Sequence, residues 1–238
     1  MRLSLPRALA ACVSAAILPA AAGDFPNLGA LSQSQFRRLS EDLGAAVAYK
    51  GVTPATALGI TGFDLGIEVT DTKMENSSLF ALAGAGNESH LVIPKLHVHK
   101  GLMAGLDIGA FVGGAPEIGA TVYGAELRYA FLEDGLATPA VAMRLSGSGV
   151  SGTGDLRVGT VGLDLTASKR FTLLTPYVGA GVVRVQTSAS GTGLAKETFN
   201  QGRYFGGVNL NLVALNLAFE AEKMGENLSL SAKFGWRF

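Results

Sequence analysis

From Gly62 to Phe238 the chain repeats one pattern: short stretches in which apolar and polar residues alternate at every second position. Successive side chains of an extended strand point to opposite faces, so each stretch is a ribbon with one apolar face. Residues 62–70 set the pattern, with Phe63, Leu65, Ile67 and Val69 against Asp64, Gly66 and Glu68. It recurs around Leu96, Ile108, Leu127, Met143, Leu163, Tyr177 to Val185, Tyr204, Leu217 and Phe234, which makes ten expected strands. In the seventh, Tyr177, Val183 and Val185 are assigned to the apolar outer face and Arg184 and Gln186 to the inner one, although Ala180 and Val182 blur the contrast.

Composition narrows the fold further. The chain is 48% hydrophobic but only 16% charged, against roughly a quarter charged in soluble domains. Past the N-terminus there is no run of about 18 apolar residues, which excludes helical membrane spans. One cysteine excludes a disulfide scaffold, and 19 basic against 19 acidic residues exclude a basic nucleic-acid binder. Apolar residues dispersed in alternating pieces point to an all-β transmembrane antiparallel up-and-down barrel. A soluble secreted β-protein is the competing class.

The N-terminus reads as a secretory leader over 1–23. Arg2 and Arg7 precede the apolar run Ala8 to Leu18, and Pro19, Ala20, Ala21, Ala22 and Gly23 supply a small-residue cleavage site. A lipoprotein reading of Leu9-Ala10-Ala11-Cys12 leaves too short an apolar region before the cysteine. Export followed by a barrel predicts the bacterial outer membrane. There the partners are outer-membrane lipid and lipopolysaccharide, together with the machinery that inserts barrels, and not nucleic acid.

The connections sharpen the topology. Lys100-Gly101, Glu133 to Gly135, Ser168 to Arg170 and Val213 read as tight turns. Asp71 to Ser89, Gly113 to Pro116, Gly147 to Asp155, Ser188 to Gly202 and Met224 to Asn227 read as longer loops. Short periplasmic turns, longer external loops and an even strand number are the habits of outer-membrane barrels. They place both barrel ends on the periplasmic side.

The chain closes on Lys233-Phe234-Gly235-Trp236-Arg237-Phe238. This alternating strand resembles the terminal strand by which outer-membrane proteins are recognised for assembly, with Trp236 and Phe238 as the signal. Pro94 to Leu102, Glu126 to Ala130 and Leu174 to Gly179 resemble a group of uncharacterised proteobacterial outer-membrane proteins. The resemblance implies a barrel and an address, and no activity.

Residues 24–56 differ. Phe36, Leu39, Leu43 and Val47 have helical spacing, Ser32 and Gln35 fit a capping box, and Gly44 offers an early end. Arg37, Arg38, Glu41 and Asp42 fall on the other side. The segment is either a helix at the periplasmic mouth or a plug in the lumen, with Tyr49 to Thr56 as the linker into the barrel.

Little in the sequence carries chemistry. Phosphate-binding loops, nucleophile elbows and metal-spaced Cys/His sets are all missing. His97 and His99 share one strand face, as candidates for a metal or a catalytic base, or as polar residues lining a wet interior. No cofactor is expected. The inward faces carry Asp64, Glu68, Asp107, Glu126, Asp164, Glu220 and Glu222, with Lys95, Arg128, Arg144, Arg184, Arg203, Lys233 and Arg237. Such a balanced set predicts a narrow lumen crossed by ion pairs, because an unmatched buried charge costs several kcal/mol. The functional expectation is a narrow or gated pore for small solutes. The alternatives are a non-conducting structural or loop-presenting barrel and, third, a barrel enzyme acting on lipid.

Overall fold

A computed structural model describes residues 25–87, 89–212 and 215–238. The expected leader, with Arg2, Arg7 and Cys12, and the Val213 turn lie outside them.

Ten strands run in chain order: β1 Phe63–Lys73, β2 His90–Gly101, β3 Leu106–Ala115, β4 Ala120–Leu132, β5 Ala140–Ser151, β6 Leu156–Ser168, β7 Leu174–Ala189, β8 Glu197–Leu212, β9 Leu215–Met224 and β10 Asn227–Arg237. Each pairs antiparallel with its neighbours in sequence, and β1 pairs with β10, so the sheet closes into a barrel without an edge. Closure satisfies every strand's backbone groups within the wall, which lets such a sheet sit in hydrocarbon.

The period-two reading explains which way most side chains face. Ile67, Val69, Leu127, Leu145, Val161, Leu163, Leu165, Leu230 and Phe234 stand exposed on the outside. Their strand neighbours Glu68, Glu126, Arg128, Arg144, Asp164 and Lys233 are buried in the lumen. Toward the strand termini, Tyr129, Phe131, Phe171, Trp236 and Phe238 are also exposed, forming an aromatic girdle of the kind that sits between lipid and water.

β7 reverses the expectation. Tyr177, Val183 and Val185 are buried inside, and Arg184 is exposed on the outer wall. Arg184 is therefore not a lumen residue. The reason lies in the N-terminal segment. An apolar helix occupies this part of the lumen, so here the inner face had to be apolar.

The connection lengths also depart from expectation. One end of the barrel carries 74–89, 116–119, 152–155, 190–196 and 225–226; the other, where β1 starts and β10 ends, carries 102–105, 133–139 and 169–173. The expected loop at Met224 to Asn227 is a tight turn in which Met224 and Asn227 are still paired, while the expected turn at Glu133 widens to 133–139. We call the two ends the loop end and the terminal end. The 74–89 connection carries an α-helix, α2 (Ser77–Ala83), with Phe80 turned inward against Phe25, and 116–119 carries a single 3-10 turn, Pro116–Ile118.

The N-terminal helix α1 spans Gln33–Val47. Both arms of its Ser32/Gln35 capping box form. It does not stop at Gly44 but runs three residues further. A Cβ built at Gly44 would lie 2.7 and 2.8 Å from the two γ-carbons of Val185. The glycine is the point of closest approach to the wall. It is not a stop signal. α1 enters from the loop end, and residues 48–62 continue along the barrel axis to β1 at the terminal end.

Candidate functional site

The lumen of the barrel is filled by the chain's own N-terminal segment. Two kinds of packing hold that segment. At the loop end, Phe36, Leu39, Leu43 and Val47 of α1 lie against the inward residues Leu91, Ile93, Val122, Leu156 and Val158. Ala45 and Ala48 pack on Val183, Val185 and Phe199. Asp42, expected on the side of the helix away from that stripe, is buried as well. It accepts from Asn76 N at 2.8 Å and from Asn227 Nδ2 at 2.8 Å, which bridges α1 to the 74–89 loop and β10. Burial pushes its carboxyl above the ordinary range, against the lowering effect of those donors.

Below Val47 the packing turns polar. Residues 48–58 are neither helix nor strand, so their buried backbone groups need partners. Side chains of the wall supply them. Ser148 Oγ donates to Val47 O at 2.7 Å, Arg203 Nη1 to Tyr49 O at 2.6 Å and Arg128 Nη1 to Pro54 O at 2.8 Å. Ala55 N donates to Ser168 Oγ at 3.0 Å, and Leu58 N to Asp107 Oδ1 at 3.1 Å. Gly51 faces Arg144 so closely that a Cβ there would sit 1.7 Å from Nη1. Val52 is held at φ +44°, a region β-branched residues avoid and accept only when their surroundings impose it.

The wall charges form connected clusters. Asp164 receives Arg144 Nε at 2.9 Å and Arg203 Nε at 2.9 Å; Arg144 also faces Glu126 at 3.7 Å, and Arg203 faces Glu222 at 3.5 Å. Lys95 meets Glu68 at 2.8 Å, Arg128 meets Asp107 at 2.6 Å, and Asp64 takes Lys233 at 3.0 Å and Arg237 at 4.0 Å. Glu220 is buried too but has no cation at ion-pair distance among the described residues. With Arg184 outside, the expected set keeps its seven inward carboxylates but only six of its seven inward cations. The seventh cation is Lys50 of the N-terminal segment, whose Nζ meets Glu222 at 3.0 Å and donates to Ala45 O at 2.8 Å. A lysine in what reads as a linker gives no sign of this role in sequence. Its partner is 172 residues away.

His97 and His99 are adjacent on the inner face of β2 and fully enclosed, so they do not line a wet interior. His97 Nε2 lies 2.8 Å from Glu68, while His99 Nε2 lies 3.4 Å from Glu126 and 3.2 Å from the Tyr49 hydroxyl. Phe111 stacks on His97. Each ring engages its own carboxylate, and among the described residues no three acidic, histidine or cysteine groups are arranged to hold a metal. A Cβ at Gly109 would lie 2.2 Å from the His99 ring, so glycine on β3 makes the room that the imidazole occupies.

Trp236 and Phe238 lie at the terminal end, where the Phe238 ring stacks on Phe63 and the two backbones exchange hydrogen bonds of 2.6 and 3.0 Å.

No protein-family description matches the chain, and no curated protein matches it. Solved barrels of similar architecture include the KdgM porin in complex with disordered oligogalacturonate, at 7% identity and a TM-score of 0.39 over 74% of this chain and 99% of that one. The outer membrane protease OmpT from Escherichia coli matches at 10% identity and a TM-score of 0.39, over 74% of this chain and 96% of that one. LpxR from Salmonella typhimurium matches at 10% identity and a TM-score of 0.39, over 73% and 100%. These are likenesses of architecture, and no argument below rests on them.

Proposed function

We propose that this protein is an outer-membrane barrel closed by its own N-terminal segment, which acts as the gate of an entry route for small solutes. The membrane placement is supported by the closed wall, its apolar exterior and the aromatic girdle at the terminal end. The observation that carries the gate is how residues 48–58 are held. Among the described residues, wall side chains bond to their backbone and no strand pairs with it. Such a segment is separable from the barrel, because its withdrawal leaves every strand ladder intact. What it would leave behind in the terminal half is a lumen lined by carboxylates and guanidinium groups, suited to polar solutes.

The permanently closed barrel remains the second reading, favoured by the apolar cluster around α1 at the loop end. Single-channel recording in planar bilayers tests the reading. The full chain is expected to be silent, and a variant lacking residues 25–56 to give reproducible steps. Those steps should prefer cations, because removing Lys50 leaves acidic wall groups in excess. Silence from both, with both still folded as heat-modifiable barrels, would leave only the closed structural barrel.

A further inference from the structure

Many charges outside the lumen are paired. At the loop end Asp71 pairs with His90 at 2.8 Å, Lys73 with Glu75 at 2.8 Å and Lys223 with Glu226 at 3.5 Å; at the terminal end Asp134 takes Lys169 at 3.1 Å and Arg170 at 4.0 Å. One sector gathers cations that are not. On β6 to β8, Arg157, Arg184 and Lys196 are exposed, and none has a carboxylate at ion-pair distance among the described residues. Glu197 turns inward, to Arg37 at 3.6 Å, and Asp155 makes no ion pair with Arg157.

The three cations share one patch. Lys196 Nζ donates to Gln186 Oε1 at 3.0 Å, which holds the ammonium on the outer wall two residues above Arg184. Arg157 is paired in register with Ser188, a further two residues up on the same face. Val161 stands level with Arg184 across the ladder, and below it Val182 and Tyr204 continue the exposed apolar wall. The patch therefore sits where apolar wall gives way to the loop rim, at the level of lipid headgroups. Guanidinium groups bind phosphate oxygens two at a time, and long basic side chains reach headgroups from just above the acyl region.

We infer that this sector binds the phosphates of an acidic glycolipid of the outer leaflet, a phosphorylated and multiply acylated disaccharide, through Arg157, Arg184 and Lys196. The apolar wall beneath is the reason to choose a lipid over a soluble anion, since it would carry the acyl chains. The inference rests on the membrane placement proposed above. The test uses the full chain folded in neutral detergent, with the thermal unfolding midpoint read against added bis-phosphorylated lipid A, its dephosphorylated form or inorganic phosphate. Lipid A is expected to raise the midpoint and the other two to leave it unchanged. Arg157→Gln/Arg184→Gln/Lys196→Gln should abolish the rise, and Lys223→Gln should keep it. If the triple variant does not fold, Arg184→Gln alone should increase the lipid concentration giving half the rise by about tenfold. An equal rise with inorganic phosphate or dephosphorylated lipid, or one undiminished in the variants, overturns the site. Fractionation of cells reads the placement separately: barrel found with soluble proteins would overturn the membrane reading, whatever lipid A does.

Discussion

The two halves of the lumen are filled by the same segment in opposite ways. In the loop-end half, helix α1 satisfies its own backbone and offers an apolar stripe, so the wall answers with Leu91, Ile93, Val122, Val183 and Val185. In the terminal half the segment has no regular structure and exposes its amides, so the wall answers with Arg203, Arg128, Ser168 and Asp107. The difference teaches that the inner face of a small barrel need not be polar. It matches the hydrogen-bonding state of whatever occupies it.

The sharpest way to break this comparison is Val185→Arg. It is expected to cost about 4 kcal/mol or more, because it overpacks the Gly44 contact and buries an unpaired charge. Urea unfolding of the barrel refolded in lipid vesicles measures it. A loss no greater than that of Arg184→Leu would mean that α1 does not lie against β7. Arg203→Ala comes next, at about 3–5 kcal/mol, since Asp164 and Glu222 each lose a partner and Tyr49 O loses its donor. Planar-bilayer recording should also show it opening the lumen, as conductance steps absent from the parent chain.

Two glycine substitutions sharpen the contrast at smaller cost. Gly44→Ala pushes into the branched carbons of Val185 and should cost about 1–3 kcal/mol. Gly51→Ala meets the far end of the Arg144 side chain, which can swing aside, so about 1 kcal/mol is expected. The reverse order would mean that the charged half is the more rigid one. Smallest is Ser32→Ala, which removes the cap of α1 for about 1 kcal/mol and should leave conductance silent.

The alternation made most of the barrel legible. Every strand was visible in it, and so were the inward positions of the acidic wall residues and of Lys95, Arg128, Arg144, Arg203, Lys233 and Arg237. The capping box and the helical spacing of Phe36, Leu39, Leu43 and Val47 were equally readable. The readings that failed were those that depended on knowing what lies inside. Arg184 looked inward because a charged residue between two valines reads as polar-in, apolar-out. Asp42 gave no sign of its burial, because it is grouped with Arg37, Arg38 and Glu41 away from the apolar stripe.

Ten strands, most with an apolar outer face, were already set by the sequence, because period two is a property of each strand alone. Only the tertiary structure decided the facing of β7, the burial of Asp42, the role of Gly44 as a contact point and the pairing of Lys50 with Glu222. Each of these depends on two stretches of chain meeting across the lumen. Local pattern records the polarity of a residue. It does not record whether water, lipid or another part of the same chain will stand against it.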